Sequence, residues 1–261
     1  MYFYGLKIIL ESFKQIKTKN KHYIMKYYLG IGLASVDPNS YYGWDGKLGG
    51  TIPDIKLFEK QLSLRGFKTE LVETANATYK NVLSKLDEYA NKTQAGDTVC
   101  IVYSGHGGNM YDDSGDEYDR MDETWILWDR ELRDDDIWLA LKKFKKGVKV
   151  LLFSDSCHSG TTYRNSQLVQ RERKDTSLKD DGALNCHLKY FGGCLDPQTS
   201  ADLGTNGLFT RTIWNTVYKV RRSTYDQFFN RLLLKMPKNQ RPTYHNLGIQ
   251  IDQFNKENMF S

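Results

Sequence analysis

Val99-Cys100-Ile101-Val102-Tyr103 runs directly into Ser104-Gly105-His106-Gly107-Gly108, and Val148-Lys149-Val150-Leu151-Leu152-Phe153 runs into Ser154-Asp155-Ser156-Cys157-His158-Ser159-Gly160. Apolar runs of this length, rich in β-branched residues and ending at Gly-rich loops, read as buried strands of a parallel sheet. Sites in open α/β sheets form beyond the carboxyl ends of such strands. The pattern therefore delivers His106 and Cys157 to one rim, from neighbouring strands if the topology is the usual one. A thiol and an imidazole so placed form a nucleophile and base.

Working outward, strands alternate with helical segments. Strands are expected at Lys26–Ala34, Phe67–Val72, Thr98–Ser104, Val148–Ser154, Leu188–Phe191 and Leu247–Ile251. Helices are expected from Thr51, as cap, to Gly66, from Thr78 through Ala90, over Asp134–Phe144, over about 207–220 and over Tyr225–Lys235. Residues 109–131 read as an acidic loop. The alternation predicts an α/β sandwich around a mainly parallel sheet. Four segments follow: an extension (1–25), a larger part with the Cys and His (26–163), an exposed basic linker (164–187) and a smaller part of the same domain (188–261).

Composition narrows the function. The chain has 261 residues, enough to bury a core without staples. No stretch reaches the roughly 18–20 apolar residues of a membrane span. The apolar start lacks a basic leader and a cleavage site, so no signal peptide is expected. Four Cys without CxxC pairing (100, 157, 186, 194) point to a reducing, cytoplasmic setting, with Cys100 a plain core residue. Asp112 to Asp136 holds twelve acids against three Arg, so the net +5 leaves an excess of positive charge spread over the rest of the chain. That charge is not gathered with aromatic platforms, which argues against a nucleic-acid partner.

The Gly residues around His106 allow close approach of substrate and backbone N–H donation to an oxyanion. His158 is a competing base, but adjacent residues on a turn point apart. A zinc site from Cys157, His158 and His106 would need a fourth ligand that the sequence does not supply.

Tyr-Ser-Gly-His-Gly (103–107) and Asp-Ser-Cys-His-Ser-Gly (155–160), at this spacing, resemble the metacaspase and orthocaspase branch of the caspase-like cysteine peptidases. Further elements match. Gly115 to Glu123 is similar to the family's GDExDGxDE loop, with Arg120 where Gly is usual, and Leu132 to Asp136 resembles its IxDDE element. Gly193 to Asp202 with Gly207-Leu208-Phe209-Thr210 resembles its GCxDxQTSAD…GAFT run, and Gln240-Arg241-Pro242 its Q-x-P. The resemblance covers about residues 26–252.

It implies a caspase-like three-layer sandwich and an endopeptidase cutting after Arg or Lys. Cys157 would be the nucleophile and His106 the base, with the N–H groups of Gly107 and Cys157 as oxyanion donors. The specificity pocket maps to Asp54, Ser104 and Asp155. Two carboxylates beside the nucleophile suit a cationic side chain and would repel the Asp that true caspases accept. The chemistry requires no cofactor. The family's calcium ligands map to Asp122, Asp134 and Asp135, but the fourth position holds Arg164, so calcium binding is lost or replaced by an ion pair. An EF-hand at Asp112 to Glu123 fails because its sixth position is Glu117, not Gly. An enzyme cutting after basic residues could cut its own linker, at Arg171, Arg173, Lys174 or Lys179. The resemblance implies a monomer. The competing class is a catalytically weak or inactive interaction module.

Overall fold

The computed structural model describes residues 23–111, 121–156, 184–194, 205–219 and 222–261, with backbone alone at 111, 121 and 122. Six strands form the main sheet: β1 (Lys26–Gly32), β2 (Lys68–Glu73), β3 (Thr98–Ser104), β7 (Lys149–Asp155), β8 (His187–Gly192) and β9 (Thr243–Gly248). Their spatial order is β2-β1-β3-β7-β8-β9. All neighbours are parallel except β8 and β9. The two strands that end in the reactive loops, β3 and β7, are adjacent, with Ser104 opposite Asp155.

Alternation along the strands sends side chains to two cores. Leu29, Ile31, Val99, Ile101, Tyr103, Val150 and Leu152 face one side. There they meet α2 (Tyr79–Lys92) and α3 (Asp134–Lys142), through Val82, Leu86, Ile137 and Leu141. Tyr28, Cys100, Val102, Leu151, Phe153 and Phe191 face the other side. They meet α1 (Thr51–Ser63), α4 (Leu208–Lys219) and α5 (Tyr225–Lys235). Phe58 of α1 sits at the centre of this second core, 5.3 Å from Phe153 and 5.1 Å from Trp214 between ring centroids. Emptying such a position costs about 3–5 kcal/mol. The result is the expected three-layer sandwich. A short helix, α6 (Asp252–Lys256), closes the chain.

Three local readings need correction. Thr51 does not cap α1: Gly50 occupies that position without a side-chain cap, and Thr51 Oγ1 instead donates to Leu33 O at 2.8 Å. The last strand is Thr243–Gly248, earlier than Leu247–Ile251. It ends at Gly248 because φ is +75° there and a Cβ would lie 2.1 Å from Cys186 O. The stretch 109–131 is not simply a loop. It carries most of a three-stranded antiparallel sheet of β4 (Gly107–Tyr111), β5 (Met121–Ile126) and β6 (Glu131–Arg133). Its polar, acidic sequence hides strands whose apolar anchors are few, chiefly Trp125 and Leu132.

Candidate active site

His106 lies between β3 and β4, and both sheets fix it. Tyr103 Oη is 2.6 Å from His106 O and 3.0 Å from Ile126 O, and Ile126 N donates to His106 O at 3.0 Å. The Tyr103 ring stacks on Trp125 at 4.4 Å, and Trp125 Nε1 donates to Ser154 Oγ at 3.0 Å. Thus the small sheet ties the end of β3 to the end of β7. Gly105 is required here, because a Cβ would stand 2.5 Å from Tyr103 Oη.

The imidazole has two partners that sequence reading missed. Its Nε2 lies 3.1 Å from Gly46 O, and its ring packs 4.8 Å from Trp44 between centroids, tilted by 54°. A carbonyl only accepts, so this bond places a proton on Nε2 and makes Nδ1 the basic nitrogen of the neutral ring. Gly46 reaches this geometry with φ +53°; a Cβ there would press within 3.1 Å of the Trp44 ring and 3.2 Å of Val36. A glycine two residues after a tryptophan, Trp44-Asp45-Gly46, was the available signal.

Asp54, Ser104 and Asp155 come together as expected. Ser104 Oγ donates to Asp54 Oδ2 at 2.9 Å. Asp54 Oδ1 accepts Asn206 Nδ2 and Gly207 N, both at 2.9 Å. Asp155 Oδ2 accepts Thr210 Oγ1 at 2.9 Å and Thr210 N at 3.2 Å. These donors include the N-terminal amides of α4, whose dipole favours negative charge. Both carboxylates are almost inaccessible, at 1% and 6% exposure. Asp54 is pushed up to about 8, mainly by burial and secondly by the Asp155 charge; the bonds from Asn206, Ser104 and Gly207 oppose the shift. Asn206, Gly207 and Thr210 were missed as site residues.

Gly107 opens β4 opposite Trp125. Cys157 follows Ser156, the last described residue of its loop, and itself lies outside the described residues, as do His158, Arg164, Arg171, Arg173, Lys174 and Lys179. Cys194, buried, donates its thiol to Ser156 O at 3.2 Å.

The calcium reading falls only partly on the described residues. Asp134 and Asp135 stand in the first turn of α3, and Asp134 Oδ1 accepts Asp135 N at 2.9 Å. The Asp122 side chain lies outside the described residues. Asp135 and Asp136 line a separate cleft of about 520 Å³ together with Arg130 and Arg133. Cations already stand among these carboxylates, and among the described residues no group of three candidate ligands gathers.

The caspase-domain family model matches residues 33–255. The chain belongs to this family of peptidases. Metacaspase-2 of Arabidopsis thaliana is 32% identical over 139 residues, which is 48% of this chain and 33% of that protein. The chain thus spans about a third of that relative's length. Protein GSU0716 of Geobacter sulfurreducens, a solved structure, is 32% identical with a TM-score of 0.78, covering 91% of this chain and 98% of that one. Caspase-1 of Spodoptera frugiperda shares the fold at 14% identity, with a TM-score of 0.53 over 87% of this chain and 89% of that one. Among the described residues no helix is long and apolar enough to cross a membrane.

Proposed function

We propose that the protein is a cysteine endopeptidase that cuts after Arg or Lys. The observation that carries this reading is the buried pair Asp54 and Asp155 at the rim where β3 and β7 end: Asp155 stands two residues before Cys157, and Asp54 of α1 accepts a bond from Ser104, two residues before His106. Desolvated carboxylates recognise a guanidinium or ammonium strongly and reject an acidic side chain.

In the reaction, the Cys157 thiol gives its proton to His106 Nδ1 and its sulfur attacks the scissile carbonyl. Backbone N–H groups of Gly107 and Cys157 take the oxyanion's charge. His106 then protonates the leaving amine as the C–N bond breaks, which leaves a thioester. Water, deprotonated by His106, hydrolyses it and frees the enzyme. The Gly46 carbonyl supports the imidazolium at Nε2 through both steps. No step runs through a metal ion, and the mixed charges around Asp135 support activity without calcium. The same specificity makes the linker bonds after Arg171, Arg173, Lys174 and Lys179 candidates for self-cleavage. A thiolate mechanism suits a reducing compartment such as the cytoplasm, and the enzyme acts as a monomer on protein substrates.

Fluorogenic peptides ending in Arg, Lys or Asp test the reading, with calcium or with chelator. Turnover of the Arg and Lys peptides under both conditions, abolished in Cys157→Ala and His106→Ala, is expected. Turnover of the Asp peptide, or of none by the wild type, would overturn it. Incubated wild type should lose intact mass through cuts in 164–187 while Cys157→Ala keeps its mass.

A further inference from the structure

Three exposed cations crowd together on α4 and α5, on the face of the sheet that carries the second core. Lys235 Nζ donates to Thr216 Oγ1 at 3.0 Å, and Lys219 follows Thr216 by one helical turn on α4. Arg231, one turn before Lys235 on α5, donates from Nη1 to Ser223 Oγ at 2.7 Å. Both oxygens are neutral hydroxyls, and among the described residues no carboxylate pairs with any of the three cations. Surface lysines elsewhere stand against acids, Lys85 against Glu70 and Glu88 and Lys143 against Asp87. The Lys235 ammonium is lowered by burial first, then by the Lys219 and Arg231 charges. Like charges one turn apart on a helix are destabilising by themselves. Tyr218 and Leu234, next to Lys219 and Lys235 in sequence, are 51% and 87% exposed. Arg65 extends the charge: its guanidinium lies 5.5 Å from the Trp214 ring centroid, and Trp214 lies 6.3 Å from Tyr218.

We propose that Lys219, Arg231 and Lys235 form a docking surface for protein substrates that carry a cluster of Asp and Glu residues away from the cut bond. This rests on the peptidase reading above and names the class of substrate it would prefer. The surface is continuous with the specificity pocket. Thr210, in the first turn of α4, bonds Asp155, and Lys219 ends the same helix, about 14 Å further along at a rise of 1.5 Å per residue. An extended chain covers that distance in about five residues, so one substrate fills the pocket and reaches the cations. Ser223 holds one nitrogen of the Arg231 fork, and the remaining donors suit a carboxylate. Cations held in place by hydroxyls fit discrete carboxylates; a lipid surface would use more inserted apolar side chains than Tyr218 and Leu234 supply. Attachment at a second point raises the effective concentration of the cut bond at the nucleophile.

The test reads binding and cleavage separately. A fluorescent peptide of Asp, Glu and Leu, with no Arg or Lys, is titrated into Cys157→Ala and followed by anisotropy. Binding is expected at low salt, weakened at least tenfold by added salt and at least tenfold by Lys219→Gln, Arg231→Gln and Lys235→Gln combined, with the fold retained by circular dichroism. In the cleavage arm, the wild type should cut an Arg peptide extended by such an acidic segment with a KM about tenfold below that of the same peptide with a neutral extension, and the triple variant should lose the difference. No binding of the acidic peptide, or equal binding by the triple variant, would overturn the docking surface. Capture by phosphatidylserine vesicles or by RNA, without binding of the acidic peptide, would overturn it in favour of that other polyanion. Binding of the acidic peptide with neither Arg peptide cut would leave the surface standing and overturn the peptidase reading instead.

Discussion

The sheet buries charge in two places, and it treats them differently. At the rim beyond β3 and β7, Asp54 and Asp155 face each other across Gly207 with backbone left bare between them. On β8 and β9, Lys189 is fully buried but enclosed. Its Nζ donates to Asn255 Oδ1 at 2.7 Å and to Asn246 Oδ1 and Tyr244 Oη at 3.1 Å, and it lies 5.0 Å from the Phe254 ring centroid. His187 completes that cluster: it accepts Ile251 N at Nδ1 (2.8 Å) and bonds Asn246 through Nε2. The ammonium has a ring of acceptors and pins the C-terminal segment to the sheet. The carboxylates instead place two like charges together. A buried charge that is fully coordinated reads as structure; two buried carboxylates brought together read as a binding site for a cation.

The largest effect that would break this comparison lies at Asp155. Asp155→Asn keeps the shape and a partner for Thr210 but removes one charge from the pocket. Cleavage of an Arg peptide should fall about a thousandfold in kcat/KM, roughly 4 kcal/mol, mostly through KM. An Asp155→Asn enzyme that cleaves as well as the wild type would mean that the pair is structural after all.

The two sites should also carry opposite pH signatures in stability. Asp54 is raised from 3.8 to about 8 on folding. Between those values the native state binds more protons than the unfolded chain, so the stabilisation present below about pH 4 is lost as pH rises towards 8. Lys189 is lowered from 10.5 to about 8, chiefly by burial. There the unfolded chain binds more protons, so stability is regained as pH rises from 8 to 10.5. Urea titrations of Asp54→Asn and wild type should differ progressively between pH 5 and 8, on the order of 3 kcal/mol across that window. Parallel curves would show that Asp54 does not titrate as a protonated buried acid.

Removing the enclosed cation is the complementary test. Lys189→Met keeps most of the volume and leaves the oxygens of Asn246, Asn255 and Tyr244 without their shared donor. A loss of about 2 kcal/mol in urea unfolding is expected, with kcat/KM per folded molecule unchanged. A selective loss of activity at full stability would reverse the assignment of the two regions.

How each region was legible in the sequence follows from how it is built. The central strands, the layer order and the Asp54–Ser104–Asp155 cluster rest on local apolar runs and motif residues, which one chain displays directly. The adjacency of β3 and β7, expected from the usual topology, is realised residue by residue up to Ser104 and Asp155. The strands β4 and β5 were hidden because their stability comes from pairing with each other and from a few anchors such as Trp125, not from a run of apolar residues. Asn206, Gly207 and Thr210 were hidden for another reason: Asn206 and Gly207 bond Asp54 about 150 positions away in sequence, and Thr210 bonds Asp155, 55 positions away. Lys189 looked like an ordinary strand lysine, because its acceptors come from β9 and α6. Contacts between distant segments leave no periodic trace.

The smallest predicted effect concerns Trp44, which bears on the reactive half of the rim rather than on the carboxylates. The indole packs against His106 and is itself held edge-on by Tyr41, with ring centroids 5.9 Å apart. Its Oη-bearing neighbour is anchored in turn, since Tyr41 Oη donates to Leu127 O at 2.7 Å. Trp44→Leu keeps an apolar wall but removes the flat face that limits rotation of the imidazole. Without that face the ring turns more freely about the bond from Nε2 to Gly46 O, so the population of the productive orientation drops while the carboxylate pocket is untouched. A fall of about tenfold in kcat with KM for an Arg peptide nearly constant is expected. A change in KM alone would instead make Trp44 a wall that contacts substrate, and would separate it from the machinery that orients the base.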